Sequence, residues 1–342
     1  MNKIRKIPSA ELEKIRKILI VQYKPFGDIL LNTGYLPALR RKFPEAQIDY
    51  LIQKPYVTLL EDNPHLDNLV LMEKKKKDSP AYFLERLRTV LKVRKRNYDV
   101  IIDQLRGPGS AQITYFSGAK YKIGWRLKRW NRVYNYLVDR TNLRYYSRLK
   151  FDLLLPLGIE EEEHNIYYNI KAESQQYIDK WLEESGLMNE KLVVISAGSP
   201  VKRKQWSLDS FAELGGKIAA CPGFKLILLW GPGEKEDTDY ISSRMKNTPL
   251  TAPPTTFNQA GALLKKAVMY IGNDGGVNHL AAAMETPSIA VFGPFTNPVK
   301  WTAWHKDIHF YLRDEKFKDK KDHTFNISPD QVFQKFKEFF KL

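Results

Sequence analysis

The chain has 342 residues, of which 43% are hydrophobic and 27% are charged. This ordinary globular composition excludes collagen, low-complexity disorder and a small disulfide scaffold, and the length suits two domains. The net charge of +16 favours an anionic partner, which could be nucleic acid, phosphate or a membrane surface. A single cysteine, Cys221, excludes an internal disulfide and indicates a reducing compartment.

Apolar runs are too short to span a bilayer, and the N-terminal residues lack a secretory core. We therefore expect a cytoplasmic protein whose membrane contact, where it occurs, is peripheral on the cytoplasmic face of the inner membrane.

Strands and helices alternate along the chain. Short apolar runs predict strands over 17–22, 48–52, 98–103, 192–197, 225–230, 268–272 and 288–292. Helical patterns fall at 29–42, 82–96, 173–185, 208–220, 277–284 and 328–342. This order predicts an α/β protein with two Rossmann-like, doubly wound domains that face each other across a cleft. We predict domains at 1–165 and 166–327, and a closing amphipathic helix at 328–342 that packs on the N-terminal domain.

The positive charge is concentrated in two segments of the first half. Residues 73–96 carry ten Lys and Arg against three acids, and residues 120–150 carry ten against one. The second segment is also rich in Tyr and Trp, a mixture typical of surfaces that bind bases, phosphates or lipid headgroups. The alternative is a solvated basic surface whose aromatic side chains lie in a core.

The turn after the first predicted strand contains Gly27 and Asp28. A glycine at a helix N-terminus allows a ligand to approach the backbone, and Asp28 could act there as a general base. The alternative is that Asp28 is the N-cap of the following helix, which the physical chemistry of helix termini favours.

Three polar loops follow strands of the second half. The first contains Ser196, Ser199 and Lys204, whose hydroxyl and ammonium groups suit a diphosphate. The second contains Glu234, which either accepts hydrogen bonds from a ribose or caps a helix after a Gly-Pro-Gly turn.

The third loop is the most informative, because a strand ends there in a small-residue turn and a helix begins. The exposed backbone amides at the start of this helix, around Gly275 and Gly276, are expected to form an anion cradle, and Asp274 could hydrogen-bond a sugar. His279 lies on the helix itself, where a histidine is more often structural than catalytic. No dinucleotide-binding glycine motif, P-loop, zinc-protease motif or nucleophile elbow occurs in the sequence.

These residues resemble glycosyltransferase family 9, the lipopolysaccharide heptosyltransferases. The matching segments are 18–44, 98–107, 204–211, 230–234 and 271–294, in the expected order. The resemblance implies a GT-B fold and inverting transfer of a sugar from a nucleotide-sugar, typically ADP-heptose, to a lipopolysaccharide-core or related glycolipid. It implies no metal and no other cofactor. By position it makes Asp28 the catalytic base, Lys204 the donor-phosphate lysine, Glu234 the ribose ligand, and Asp274, Gly275, Gly276 and His279 the donor-sugar and diphosphate loop.

For the acceptor, we expect the basic aromatic face, residues 120–150 together with 73–96, to bind an anionic, phosphorylated glycolipid at the membrane surface. The candidate residues are Lys24, Arg126, Lys128 and Arg129. We expect a monomer, because two facing domains can complete one site. We expect no binding of nucleic acid. The alternatives are a GT-B transferase or epimerase that uses another nucleotide-sugar and, more distantly, a nucleic-acid-binding protein.

Overall fold

The computed structural model describes residues 4–105, 107–127, 129–140, 144–199, 201–247, 249–294, 296–314 and 325–342. Contacts divide the chain into two compact units, Met1–Asn169 and Ile170–Leu342. The division falls a few residues after the predicted boundary at 165.

The first unit contains a six-stranded sheet whose paired strands are all parallel, in the order β3-β2-β1-β4-β5-β6. Its central strands read as continuous apolar runs because helices cover both faces of a parallel sheet. The strands are β1 (Lys17–Val21), β2 (Gln47–Gln53), β3 (Asn68–Met72), β4 (Val100–Asp103), β5 (Tyr121–Trp125) and β6 (Tyr136–Val138).

The helices of this unit are α1 (Ser9–Leu12), α2 (Phe26–Asn32), α3 (Leu36–Lys42), α4 (Pro80–Lys95), α5 (Pro108–Phe116) and α6 (Tyr146–Lys150). Turns of 3-10 helix lie at Thr33–Tyr35, Lys54–Leu59, Asn131–Val133 and Phe151–Leu157.

The prediction of one continuous helix over 29–42 is wrong, because a 3-10 turn separates α2 from α3. Pro37 lies at the start of α3, where it has no N–H to continue the α-helical ladder. Gly34, in the turn, lies so close to Ser147 and His164 that a Cβ would be 2.5 Å from each side chain.

The second unit contains a second parallel six-stranded sheet, in the order β12-β11-β10-β7-β8-β9. Its strands are β7 (Lys191–Ser196), β8 (Phe224–Leu228), β9 (Leu250–Thr251), β10 (Met269–Asn273), β11 (Ser288–Val291) and β12 (His309–Leu312). Its helices are α7 (Ala172–Glu184), α8 (Leu208–Ala219), α9 (Lys235–Arg244), α10 (Phe257–Lys266), α11 (Gly276–Ala283), α12 (Pro298–Trp301) and α13 (Pro329–Phe340).

The closing helix α13 packs within the second unit, which corrects the expectation that it packs on the N-terminal domain. Its buried residues Val332 and Phe336 belong to the same core as Phe211 of α8 and Phe224 of β8. The rings of Phe224 and Phe336 meet edge to face at 5.2 Å. The apolar face of this helix is therefore used by the core of its own unit.

In the basic aromatic segment 120–150, most aromatic side chains are buried and several cations form ion pairs within the unit. Most of its aromatic side chains are buried, namely Tyr121, Trp125, Tyr134, Tyr136 and Tyr145, whereas Trp130 is exposed. Several of its cations pair with carboxylates of the same unit: Lys120 with Glu11, Arg126 with Asp139, Arg144 with Asp152 and Glu161, Arg148 with Glu161, and Lys150 with Asp28. The alternative in which these aromatic residues build a core describes most of this segment.

Both sheets reverse their strand order at one point, between β1 and β4 and between β7 and β10. In open α/β sheets, ligands bind beyond the carboxyl ends of the strands at such a switch point. Within the described residues, no helix is both long and apolar enough to cross a membrane.

Candidate active site

Asp28 lies in the first turn of α2, just beyond the carboxyl end of β1. The N-cap position belongs to Pro25, which follows a cis peptide bond from Lys24, and no side chain caps the helix. The interpretation of Asp28 as the N-cap is therefore wrong.

The Asp28 carboxylate is paired with a lysine from a distant part of the unit. Lys150, at the end of α6, donates to Asp28 Oδ1 at 3.1 Å and to Gln22 Oε1 at 3.2 Å. The lysine side chain is 7% exposed and the aspartate 21% exposed, so the carboxylate is the accessible member. Burial lowers the pKa of Lys150 below its usual value, and the charge of Asp28 opposes this shift. Lys150 lies in no recognisable motif, and the sequence analysis missed it as a site residue.

A second carboxylate, Asp103, ends β4 on the other side of the switch point. It is fully buried, and its Oδ2 accepts a hydrogen bond from Tyr134 Oη at 2.6 Å. Burial raises the pKa of Asp103 to about 7, against the hydrogen bonds that favour its ionised form. Unlike Asp28, it has no ion pair with a cation among the described residues.

Of the three candidate acceptor residues that the structure describes, one is already paired with a carboxylate. Lys24 is exposed next to α2. Arg126 donates to Asp139 Oδ1 at 2.7 Å, so its charge is partly neutralised within the unit. Arg129 is exposed, and Lys128 lies outside the described residues.

In the second unit, Lys204 and Asp274 meet at the β7–β10 switch point. Lys204 ends a 3-10 turn after β7, and its Nζ donates to Asp274 Oδ2 at 2.6 Å. Here the aspartate is 4% exposed and the lysine is 32% exposed, so the cation is the accessible member.

The neighbouring Asn273, which the sequence analysis missed, fixes the two loops against each other. Its Oδ1 accepts from the backbone N–H of Trp206 at 2.9 Å, and its Nδ2 donates to the Ala197 carbonyl at 2.8 Å. The only signal for Asn273 in the sequence is its place between Gly272 and Asp274. These two bonds hold the lysine loop at the end of β10, which positions Lys204 beside Asp274.

Other donor candidates lie at the end of β7 or in the segments that follow β7 and β10. Gly275 and Gly276 begin α11, whose first backbone amides have no partners within the helix. Ser199 Oγ donates to the Val201 carbonyl at 3.1 Å, which shapes its own loop. Ser196 is buried at the end of β7, and His279 is buried on α11 with its ring 5.9 Å from that of Trp301.

Glu234 occupies the N-cap position of α9, but its side chain makes no capping bond there. Its Oε2 instead accepts from the Gly231 N–H at 2.8 Å. The carboxylate lies directly over Gly198 in the loop after β7, where a Cβ would be 1.9 Å from Glu234 Cδ. Only glycine at 198 leaves room for the carboxylate in this position, which brings Glu234 to the same edge of the sheet as Lys204.

Among the described residues, no group of three or more His, Cys, Asp or Glu side chains could hold a metal ion. Two acidic residues of α9, Asp237 and Asp239, contact Gln205 and Lys235, respectively.

Two Rossmann-like units, each with polar groups gathered at its switch point, define the GT-B class of glycosyltransferase folds. The model of glycosyltransferase family 9 (heptosyltransferase) matches residues 86–327. The chain belongs to this family and is a glycosyltransferase.

Known relatives extend this similarity over most of the chain. Lipopolysaccharide heptosyltransferase 3 of Escherichia coli K12 is 26% identical over 291 residues, which cover 82% of this chain and 83% of the relative. Lipopolysaccharide heptosyltransferase 1 of Campylobacter coli is 25% identical over 298 residues, which cover 81% of this chain and 84% of the relative.

Solved structures share the fold. A family 9 glycosyltransferase from Veillonella parvula has a TM-score of 0.80 at 20% identity and covers 93% of this chain and 95% of its own. The Escherichia coli heptosyltransferase WaaC with ADP-2-deoxy-2-fluoro heptose has a TM-score of 0.72 at 20% identity. This match covers 94% of this chain and 99% of WaaC. The predicted α/β, GT-B fold class and the predicted glycosyltransferase class are both confirmed.

Proposed function

We propose that the protein transfers heptose from ADP-heptose to a lipopolysaccharide-core or related glycolipid, with inversion and without a metal. The observation that carries this proposal is a pair of aspartate–lysine contacts with opposite exposure. The accessible group is a carboxylate in the first unit, at Asp28, and an ammonium in the second, at Lys204.

In the second unit, Lys204 binds the donor diphosphate. Asp274 holds the ammonium from its buried side, while the exposed side meets phosphate oxygens through charge-assisted hydrogen bonds. The amides of Gly275 and Gly276 at the start of α11 add partial positive charge. When the sugar leaves, these groups stabilise the negative charge that develops on the nucleoside diphosphate, a task that a metal ion performs in other transferases.

The same unit binds the nucleoside through Glu234. Its carboxylate has one oxygen bonded to the Gly231 N–H, and the remaining acceptor capacity suits the two ribose hydroxyls. Ser196, Ser199, Asp274 and His279 remain proposed donor ligands on the strength of their place around this edge of the sheet.

In the first unit, Asp28 acts as the general base. It removes the proton from the acceptor hydroxyl as that oxygen attacks the anomeric carbon, and the Asp28–Lys150 contact orients the carboxylate. Direct attack by the acceptor on the face opposite the leaving diphosphate inverts the configuration. Lys24, Arg126, Lys128 and Arg129 are proposed to bind anionic groups of the acceptor.

Calorimetric titration in EDTA tests the donor half of the proposal. We expect ADP to bind more tightly than GDP or UDP. Glu234→Ala should weaken ADP binding about tenfold, because two hydrogen bonds to a charged acceptor are lost. The same substitution should leave the binding of 2′,3′-dideoxy-ADP unchanged, and Glu236→Ala, at an exposed neighbouring position, should leave both unchanged.

Release of ADP from ADP-heptose then separates the reaction classes. A transferase needs the glycolipid acceptor for turnover, whereas an epimerase turns over the donor alone. Binding that disappears in EDTA would overturn the metal-free mechanism. Preference for GDP or UDP would replace the donor.

A further inference from the structure

Helix α4 has an outer face that is both apolar and cationic. Its inner face buries Glu85, Thr89 and Val93. The outer face carries four large apolar side chains, each 47–58% exposed: Phe83, Leu84, Leu87 and Leu91. Residues three and four apart lie on one side of a helix, so these side chains form a stripe about 12 Å long.

The charge on this face has one sign. Arg88, Lys92, Arg94 and Lys95 are exposed alongside the stripe, and no ion pair joins them to a carboxylate among the described residues. The acid of the helix, Glu85, points inward and accepts from the backbone N–H of Glu73 at 2.9 Å. The run of lysines at 74–77 lies two residues before the N-terminal Pro80 of the helix and adds to the positive field, although the Lys77 ammonium is 3.9 Å from the Asp78 carboxylate.

The surface continues onto α5. Arg94, one turn beyond Leu91, donates to the Phe116 carbonyl at 3.2 Å. Phe116 and its neighbour Tyr115 are more than half exposed, and with the exposed Trp130 they line an open cavity of about 560 Å³.

We propose that this outer face of α4, extended by Tyr115 and Phe116, docks on an anionic lipid bilayer. Contiguous apolar side chains of this size are rarely left in solvent by a monomeric protein without an interaction to explain them. Nucleic acid would use the cations but not the leucines. A bilayer with anionic headgroups offers apolar and anionic contacts together, and helices of this composition lie in its interface.

This docking surface extends the proposed function, because a lipid-linked acceptor lies in such a bilayer. Vesicle binding needs neither donor nor acceptor, so it can be tested separately from catalysis. The surface also differs from the basic aromatic segment 120–150, whose aromatic residues are mostly buried.

The test is sedimentation of the full chain with vesicles of phosphatidylcholine alone, or mixed with an equal part of phosphatidylglycerol. Leu87→Gln with Leu91→Gln should lower affinity for the mixed vesicles about tenfold or more, because both side chains lose apolar burial. Met188→Gln with Leu342→Gln is the matched control, since these apolar residues are similarly exposed in the second unit. Arg88→Gln with Lys95→Gln should remove the preference for phosphatidylglycerol, whereas Lys225→Gln with Lys246→Gln should not.

The proposal is overturned if the protein does not bind the mixed vesicles, or if the α4 variants bind as well as their controls. A dimer in size-exclusion chromatography that dissociates in the Leu87→Gln, Leu91→Gln variant would also overturn it, because a second copy would then cover the stripe. Titration of ADP into the same variants distinguishes a failure of this proposal from a failure of the proposed function. Because the nucleotide is assigned to the second unit, ADP binding does not depend on the α4 surface.

Discussion

The two units each place an aspartate–lysine pair at the switch point of a parallel sheet, but they bury opposite members. In the first unit, Lys150 Nζ lies 3.1 Å from Asp28 Oδ1, and the lysine is the more buried partner. In the second unit, Lys204 Nζ lies 2.6 Å from Asp274 Oδ2, and the aspartate is the more buried partner. The same two residue types therefore present a carboxylate to solvent in one unit and an ammonium in the other.

This inversion explains how a similar fold could serve two chemical tasks. A buried charge needs a partner, because desolvation without one is costly. In each pair the buried member stabilises the accessible one, which in the proposed mechanism contacts a substrate. The accessible carboxylate suits proton removal, and the accessible ammonium suits a diphosphate.

The largest expected effect comes from removing the accessible carboxylate. Asp28→Asn should lower kcat about 10²- to 10⁴-fold, the usual contribution of a general base. The asparagine oxygen can still accept from Lys150, so ADP affinity measured by calorimetry should change little. Glu162→Gln, which removes a charge that pairs with Arg41 on the surface of the same unit, is the control. Near-normal turnover of Asp28→Asn would remove the base from the mechanism.

Removing the accessible ammonium tests the other half of the comparison. Lys204→Met should weaken ADP binding about 10- to 100-fold, because a charge-assisted contact with phosphate is lost. Lys202→Met is the matched control: it lies in the same 3-10 turn but is mostly exposed and contacts Asp237 at 3.5 Å. Equal losses in the two variants would mean that the loop acts only through its overall charge.

The buried lysine of the first pair predicts a pH dependence. Burial lowers the pKa of Lys150 from 10.5, so its proton is lost at a lower pH than that of an exposed lysine. As pH rises through that pKa, Asp28 loses its cationic partner, and the rate of transfer should fall. Lys150→Met should be about tenfold slower at neutral pH and should lack this alkaline limb. If the transfer rate of the variant still falls at alkaline pH, the titration of another group causes that decrease.

The sequence indicated the polar loops at the edge of the second sheet more directly than it indicated the partner of Asp28. The run Gly272–Ala283 is local, so its strand, turn and helix can be recognised directly. Lys150 lies 122 positions from Asp28, and only the folded chain brings them together. Without that contact, helix-capping preference made the N-cap the favoured role for Asp28, although the helix begins two residues earlier, at Phe26.

A charge count alone does not distinguish the two basic segments. Each of the segments 73–96 and 120–150 carries ten cations. In the second segment, aromatic side chains enter the core and several cations meet carboxylates from distant positions, such as Glu11 and Glu161. In the first, α4 buries a narrow face and leaves its leucines outside. Burial and ion pairing depend on tertiary contacts, which a charge count does not contain.

The smallest expected effect concerns how Glu234 is held beside the lysine pair of the second unit. Gly198→Ala should weaken ADP binding about fivefold, because the new Cβ displaces the Glu234 carboxylate from its bond to Gly231. Gly216→Ala, which has open space around its Cβ, is the control. In a Glu234→Ala background, Gly198→Ala should have no further effect, because the two substitutions act through one carboxylate. Additive losses would instead mean that Gly198 contacts the nucleotide through its own backbone.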